Sequence, residues 1–214
     1  FLEGLRDTLK NETALQNLRV SNDPTVVEGY KTIYDTLVNK VYAKKAGLVE
    51  ILFSINSPGR IIIQAAIQTP LSMGRMYINS TSIFDHPVLD PNYFATLLVR
   101  TCVISLPLLK VLLFIDAVIM RQALKTVRSL SLLSPLKELL GTEVTPGPDV
   151  QTDADWENYV RNSAGTEFHP GSTCAMLPKE KGGVVDASLK VYGTTNLRVV
   201  DGSIFPISMS AHVS

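Results

Sequence analysis

Two cysteines, three histidines and one tryptophan are all that 214 residues offer of these types, and each scarcity removes a class of chemistry. With only Cys102 and Cys174 present, one bridge is the most that can form, and no disulfide framework is expected. Two free thiols are the expectation. No C-x-x-C or H-E-x-x-H spacing links His86, His169, Cys174 and His212, so no metal site is expected. The G-x-S-x-G elbow of serine hydrolases and the Walker P-loop are also missing. So is G-x-G-x-x-G, the turn that seats a dinucleotide pyrophosphate on a helix N-terminus. Twenty basic residues balance twenty acidic ones. Without a basic stripe, neither nucleic acid nor an anionic membrane is an expected partner. The apolar stretch 97–120 is broken by Arg100, Pro107, Lys110 and Asp116, well short of the roughly 20 uninterrupted residues of a membrane span.

What is present fits a packed globule: 45% hydrophobic and 19% charged residues. Asp23-Pro24 reads as an N-cap followed by proline at the first helical position. Val27, Tyr30, Ile33, Leu37 and Val41 then recur at helical spacing, predicting a core-facing helix. Strands are expected at 50–53 and 60–66, separated by the turn signal Asn56-Ser57-Pro58-Gly59. Thr142 to Gln151 reads as a linker loop around Pro146-Gly147-Pro148. Thr152-x-x-Asp155 has the form of a capping box and predicts a helix from Asp153 to Ser163. The stretch 97–120 is expected as a buried helix or an apolar surface patch, inserted ahead of a helix around 121–128. After it the tail alternates strand and turn, with strands at 184–185, 189–192 and 197–201.

Three segments carry family character. The first is Pro70-Leu71-Ser72-Met73-Gly74-Arg75-Met76-Tyr77-Ile78-Asn79-Ser80, expected as a strand. The second runs from Phe84-Asp85-His86-Pro87 to Asp90-Pro91-Asn92-Tyr93-Phe94, expected as a proline-punctuated loop unable to continue a ladder, with His86 a turn residue. The third is the tail: Phe168-His169-Pro170-Gly171-Ser172-Thr173-Cys174, Gly182-Gly183-Val184-Val185-Asp186, Asn196 to Ser203, and Ser210-Ala211-His212-Val213. Together they resemble the glucose–methanol–choline (GMC) flavin oxidoreductases, over roughly residues 20–96 and 117–214.

The resemblance implies an α+β fold: a largely antiparallel sheet with helices on one face, plus tail strands completing a flavin-binding domain absent from this chain. It implies three parts, 1–68 as the connection between flavin and substrate domains, 69–163 as the substrate-binding cap, and 164–214 as a segment returning to the flavin. The chemistry it implies is oxidation of an alcohol, sugar or secondary-metabolite hydroxyl by FAD. A neutral imidazole suits removal of the hydroxyl proton, because an ordinary imidazole titrates near pH 6.5. The hydride needs an organic acceptor. By position, His169 is the implied base and His212 the residue orienting the alcohol; Asp201, Gly202, Ala211 and Val213 are the implied flavin contacts. Relatives commonly read His-Pro-x-Gly-Thr where this chain has Ser172. The implied partners are a small-molecule alcohol and the missing amino-terminal half, and the chain is read as a carboxy-terminal part lacking residues at both ends. Two other readings stay open: a non-catalytic fragment or degenerate paralogue, and a lyase or cyclase that keeps FAD. Finally, Asn11-Glu12-Thr13 and Asn79-Ser80-Thr81 are glycosylation sequons, which lean toward a secreted protein.

Overall fold

A computed structural model describes residues 2–10, 21–95, 97–102 and 109–210. Helix α1 (Leu2–Leu9) is followed by α2 (Pro24–Thr36), which continues through a π turn (Leu37–Val41) and a 3-10 turn (Tyr42–Lys44). Asp23 caps α2 as its sequence predicts, accepting from the Thr25 backbone N–H at 2.8 Å. The helix stops where Lys45 adopts a left-handed conformation. Its inward face (Tyr30, Ile33, Tyr34, Leu37 and Val38) packs with Leu5 of α1, Leu71, Ile115 and Ile119 in one core. Each such burial stabilises by about 1.5–3 kcal/mol, so this face, not helix propensity, holds α2 in place.

Strands β1 (Val49–Ser57) and β2 (Arg60–Ile67) form the expected antiparallel hairpin, turning at Gly59 with φ +70°. Beyond it, residues 69–72 are buried or half-buried without a ladder partner. Side chains supply the hydrogen bonds instead: the Tyr42 hydroxyl donates to Thr69 O (2.5 Å) and the Tyr30 hydroxyl to Leu71 O (2.9 Å). The Asp116 carboxylate accepts from the backbone N–H groups of Leu71 (3.0 Å) and Ser72 (2.8 Å). Asp116 is 2% exposed, and burial raises its pKa above the ordinary aspartate value against the pull of these donors.

Several expectations change. Among the described residues the sheet is not one continuous layer: three separate two-stranded antiparallel sheets stand in its place, so the fold is α+β with small sheets. The proline-punctuated loop does enter a ladder, because the three residues of β4 (Val88–Asp90) lie between Pro87 and Pro91 and keep their N–H groups. They pair with β3 (Arg75–Tyr77), in register Tyr77↔Val88 to Arg75↔Asp90. The stretch 97–120 is no buried helix: β5 (Leu97–Cys102) pairs with β6 (Leu109–Phe114), and only from Ile115 does the chain turn helical, in α3 (Ile115–Ser131). A short apolar run reads alike as strand or helix, which is why periodicity missed it.

No helix among the described residues is long and apolar enough to cross a membrane. A single turn of helix, α4 (Leu136–Leu139), leads into the predicted loop. Arg128 of α3 holds that loop in place. Its guanidinium donates to Glu143, Gly147 O and Val150 O, and stacks 4.2 Å above the buried Trp156 ring. Helix α5 (Asp153–Ser163) starts with the predicted capping box, in which Asp155 N–H reaches Thr152 Oγ1 and Thr152 N–H reaches the Asp155 carboxylate. The tail is irregular where strands were expected, joined by single bridges Met176↔Val185, Val185↔Val191 and Lys190↔Arg198. Leu189 at φ +64° and Gly193 at φ +78° interrupt any longer pairing. The tail docks on α2 through its 179–182 turn. A Cβ on Gly29 would lie 2.2 Å from Lys181 O, so only glycine permits this approach.

Candidate functional site

His169 sits in the irregular segment after α5, half-buried, beside Phe168, which is 82% exposed. What fixes this segment is the stretch 201–205 near the chain's other end. Cys174 N–H donates to Ser203 O at 2.9 Å and Met176 N–H to Ile204 O at 2.8 Å. The Ser172 hydroxyl donates to Phe205 O at 2.7 Å. Gly171 faces Gly202 so closely that a Cβ there would stand 3.0 Å from Gly202 O. Two motifs distant in sequence therefore form one surface, with His169 at its edge and backbone rather than side chains at its centre.

Asp201 caps the 3-10 turn Gly202–Ile204. Its carboxylate accepts from the Ser203 hydroxyl (2.5 Å) and the Ser203 N–H (2.9 Å), and the hydroxyl bond above all holds its pKa below the usual carboxylate range. The side chain is thus spent on the turn, and Gly202 O accepts from the Phe205 N–H at 3.4 Å while facing Gly171. Of the six residues singled out from sequence, His169, Asp201 and Gly202 are brought to this surface. His212, Ala211 and Val213 lie outside the described residues. Cys174 is a free thiol beside His169's loop, and the side chain of Cys102 lies outside the described residues. His86 is exposed, in the irregular stretch just before β4, and the turn itself falls at residues 83–84. A separate open cleft of about 300 Å³, lined by Asp149, Asp155, Asn158, Tyr159 and Asn162 among others, contains none of the six.

The carboxy-terminal family model described as GMC oxidoreductase matches residues 70–214. The chain belongs to this family. The GMC match takes in His169, Asp201, Gly202 and the last residues as one unit. A GMC oxidoreductase family protein of Malassezia sympodialis, Mala s 12, is 46% identical over 190 residues, covering 89% of this chain and 28% of that protein. Glucose oxidase of Penicillium chrysogenum is 46% identical over 94 residues, 42% of this chain and 16% of the enzyme. Among solved structures, a fungal aryl-alcohol oxidase superposes with a TM-score of 0.79 at 25% identity, over 99% of this chain and 32% of the oxidase. The chain thus spans about a third or less of the length of these GMC proteins.

Ser172 is the residue whose role sequence alone did not reach. The signal was there, as the serine standing where the family resemblance implies glycine. The structure gives the reason glycine suits the position: Ser172 has φ +69°, in the left-handed region. That conformation costs a side-chain-bearing residue about 1–2 kcal/mol, and the bond to Phe205 O returns about 0.5–1.5 kcal/mol. Ser172→Ala keeps the strain and loses the bond, whereas Ser172→Gly loses both. The alanine variant is expected to be about 1 kcal/mol less stable than the glycine variant. Equal urea midpoints for the two would show that φ is not positive here.

Proposed function

We propose that this chain is the carboxy-terminal part of an FAD-dependent enzyme that oxidises an alcohol, sugar or secondary-metabolite hydroxyl. The supporting observation is the apposition of the His169 loop on residues 201–205, through the Gly171–Gly202 approach and the Ser172–Phe205 bond. In this reading residues 1–68 connect the flavin and substrate domains, 69–163 form the substrate-binding cap, and 164–214 return to the flavin. The amino-terminal half of the protein carries the G-x-G-x-x-G turn that this chain lacks, and the tail completes that flavin domain.

The residues present fit one edge of a flavin. Gly171 lacks the Cβ that would stand 3.0 Å from Gly202 O, which lets the His169 loop lie against residues 201–205 and present one backbone surface with them. Gly202, with Asp201 holding its turn, and Ala211 and Val213 would hold the cofactor when it is bound. When bound, FAD supplies the acceptor for the substrate's hydride at N5. The protein's part is proton transfer and aim. His169 accepts the hydroxyl proton as the carbon gives up hydride, and His212 orients the hydroxyl toward it. Exclusion of water falls to the cap and to the flavin half together.

Because half the flavin surface lies elsewhere, the 214-residue chain alone is expected not to quench FAD fluorescence at micromolar concentrations, whereas the full-length protein does. Saturable quenching by the isolated chain would overturn the division of the site between two halves. Absence of quenching by the full-length protein would overturn the flavin assignment itself.

A further inference from the structure

The sequon Asn79-Ser80-Thr81 is not absorbed by the proposed chemistry, and its surroundings are unusual. Strand β3 ends at Tyr77, so Asn79 lies past the last ladder pair. Every residue from 74 to 87 is exposed. The loop closes on itself, with the Ser80 hydroxyl donating to the Asp85 carboxylate at 2.5 Å, Ser82 N–H to Ser80 Oγ at 3.0 Å and Asp85 N–H to Ser82 O at 3.2 Å. It needs no other element to hold its shape. Among the described residues neither the Asn79 amide nor the Thr81 hydroxyl is given a hydrogen-bond partner. The two groups a glycosyl transfer requires are therefore both presented to solvent.

A second feature points the same way. Ile78, Ile83 and Phe84, flanking the sequon, are 81%, 90% and 90% exposed. Large apolar side chains left in water are a liability unless something covers them. A glycan is bulky and solubilising, and one rooted at Asn79 would stand beside Ile78 in this loop.

We propose that Asn79 is an N-glycosylation site of the full-length protein, occupied during passage through the secretory pathway. The donor class is a lipid-linked oligosaccharide pyrophosphate. The Asn79 Nδ2 forms a bond to the sugar's anomeric carbon, the bond from that carbon to the pyrophosphate oxygen breaks, the amide loses one proton, and the lipid pyrophosphate leaves with the electron pair. The competing cover for the patch is protein: the amino-terminal half seated on Ile78, Ile83 and Phe84 closes off Asn79.

The test is peptide mapping of the full-length protein secreted from a yeast host, with and without peptide N-glycosidase. Trypsin cleavage after Arg75 separates Asn79 from the sequon at Asn11, so each is scored alone. The expected result is a glycan on most copies of the Asn79 peptide, and Asp in place of Asn79 after enzymatic release. Thr81→Ala and Asn79→Gln each abolish the modification, and Thr81→Ser retains part of it, since serine is also an acceptor residue. Unmodified Asn79 in secreted wild-type protein overturns the proposal. So does retention of the glycan by Asn79→Gln, which would place it on another residue.

Discussion

Replacing His169 by alanine in the full-length protein is expected to slow reduction of its flavin by alcohol by about 10²–10⁴-fold, the range removed with a positioned general base. The argument is one of bond changes. An alcohol C–H does not yield hydride readily while its oxygen keeps the proton, because the developing carbonyl would then carry a positive charge. His169 lies at the edge of the surface formed by 171–176 and 201–205, which is joined by the Cys174–Ser203, Met176–Ile204 and Ser172–Phe205 hydrogen bonds. The variant should therefore keep its flavin content and lose rate. Anaerobic stopped-flow bleaching of the flavin absorbance separates the two. A variant that reduces its flavin at the wild-type rate sinks the role assigned to His169, and one purified without flavin would make the residue a contact rather than a base. The pH profile offers an independent check: the rise in rate on deprotonating a base should disappear in the alanine variant.

The second large effect concerns stability. Asp116→Ala leaves the buried Leu71 N–H and the half-buried Ser72 N–H without their carboxylate acceptor. Orphaning buried donors costs about 1–3 kcal/mol each, so a loss of about 2–4 kcal/mol is expected in urea unfolding. A loss under about 0.5 kcal/mol would mean that Asp116 is not the acceptor for that segment. The charge adds a pH signature of defined sign. Burial raises the folded-state pKa above the unfolded one, so the native protein binds the proton first as pH falls. The stability attached to this proton is fully present below the unfolded value and is lost as pH rises through the folded one. Asp116→Asn has no proton to gain. Lowering the pH from neutral toward the ordinary aspartate value should therefore stabilise wild type relative to the asparagine variant, opposite to the trend of a paired surface carboxylate.

Local chemistry made parts of this chain readable in advance. Asp23-Pro24 fixed the start of α2, Pro58-Gly59 the first hairpin, and Thr152 with Asp155 the start of α5, because each acts on its own backbone within four residues. What escaped depends on distant partners. Val88–Asp90 becomes a strand only because Arg75–Tyr77 comes alongside. The apolar run before Asp116 has no period to distinguish strand from helix. Tail segments with strand-like composition pair only by single bridges, since a positive φ at Leu189 is invisible in its side chain. At the candidate site the motif order was legible, and the contact of Gly171 with Gly202 was not, because closeness of two glycines leaves no mark in either local sequence. Ser172 stands between these cases. Its mismatch with the family was visible, and its left-handed backbone and its bond to Phe205 were not.

Gly29 touching Lys181 has a consequence in time. The two are separated by about 150 residues, so ribosomal synthesis at roughly 5–20 residues per second leaves the outer face of α2 waiting on the order of ten seconds or more for its cover. Until the 179–182 turn emerges, Val26 and the bare Gly29 backbone have no tail against them. The segment that finishes α2 is thus made about 150 residues after the helix itself, and a nascent chain stalled before Lys181 presents that unfinished face to whatever lies near the ribosome exit.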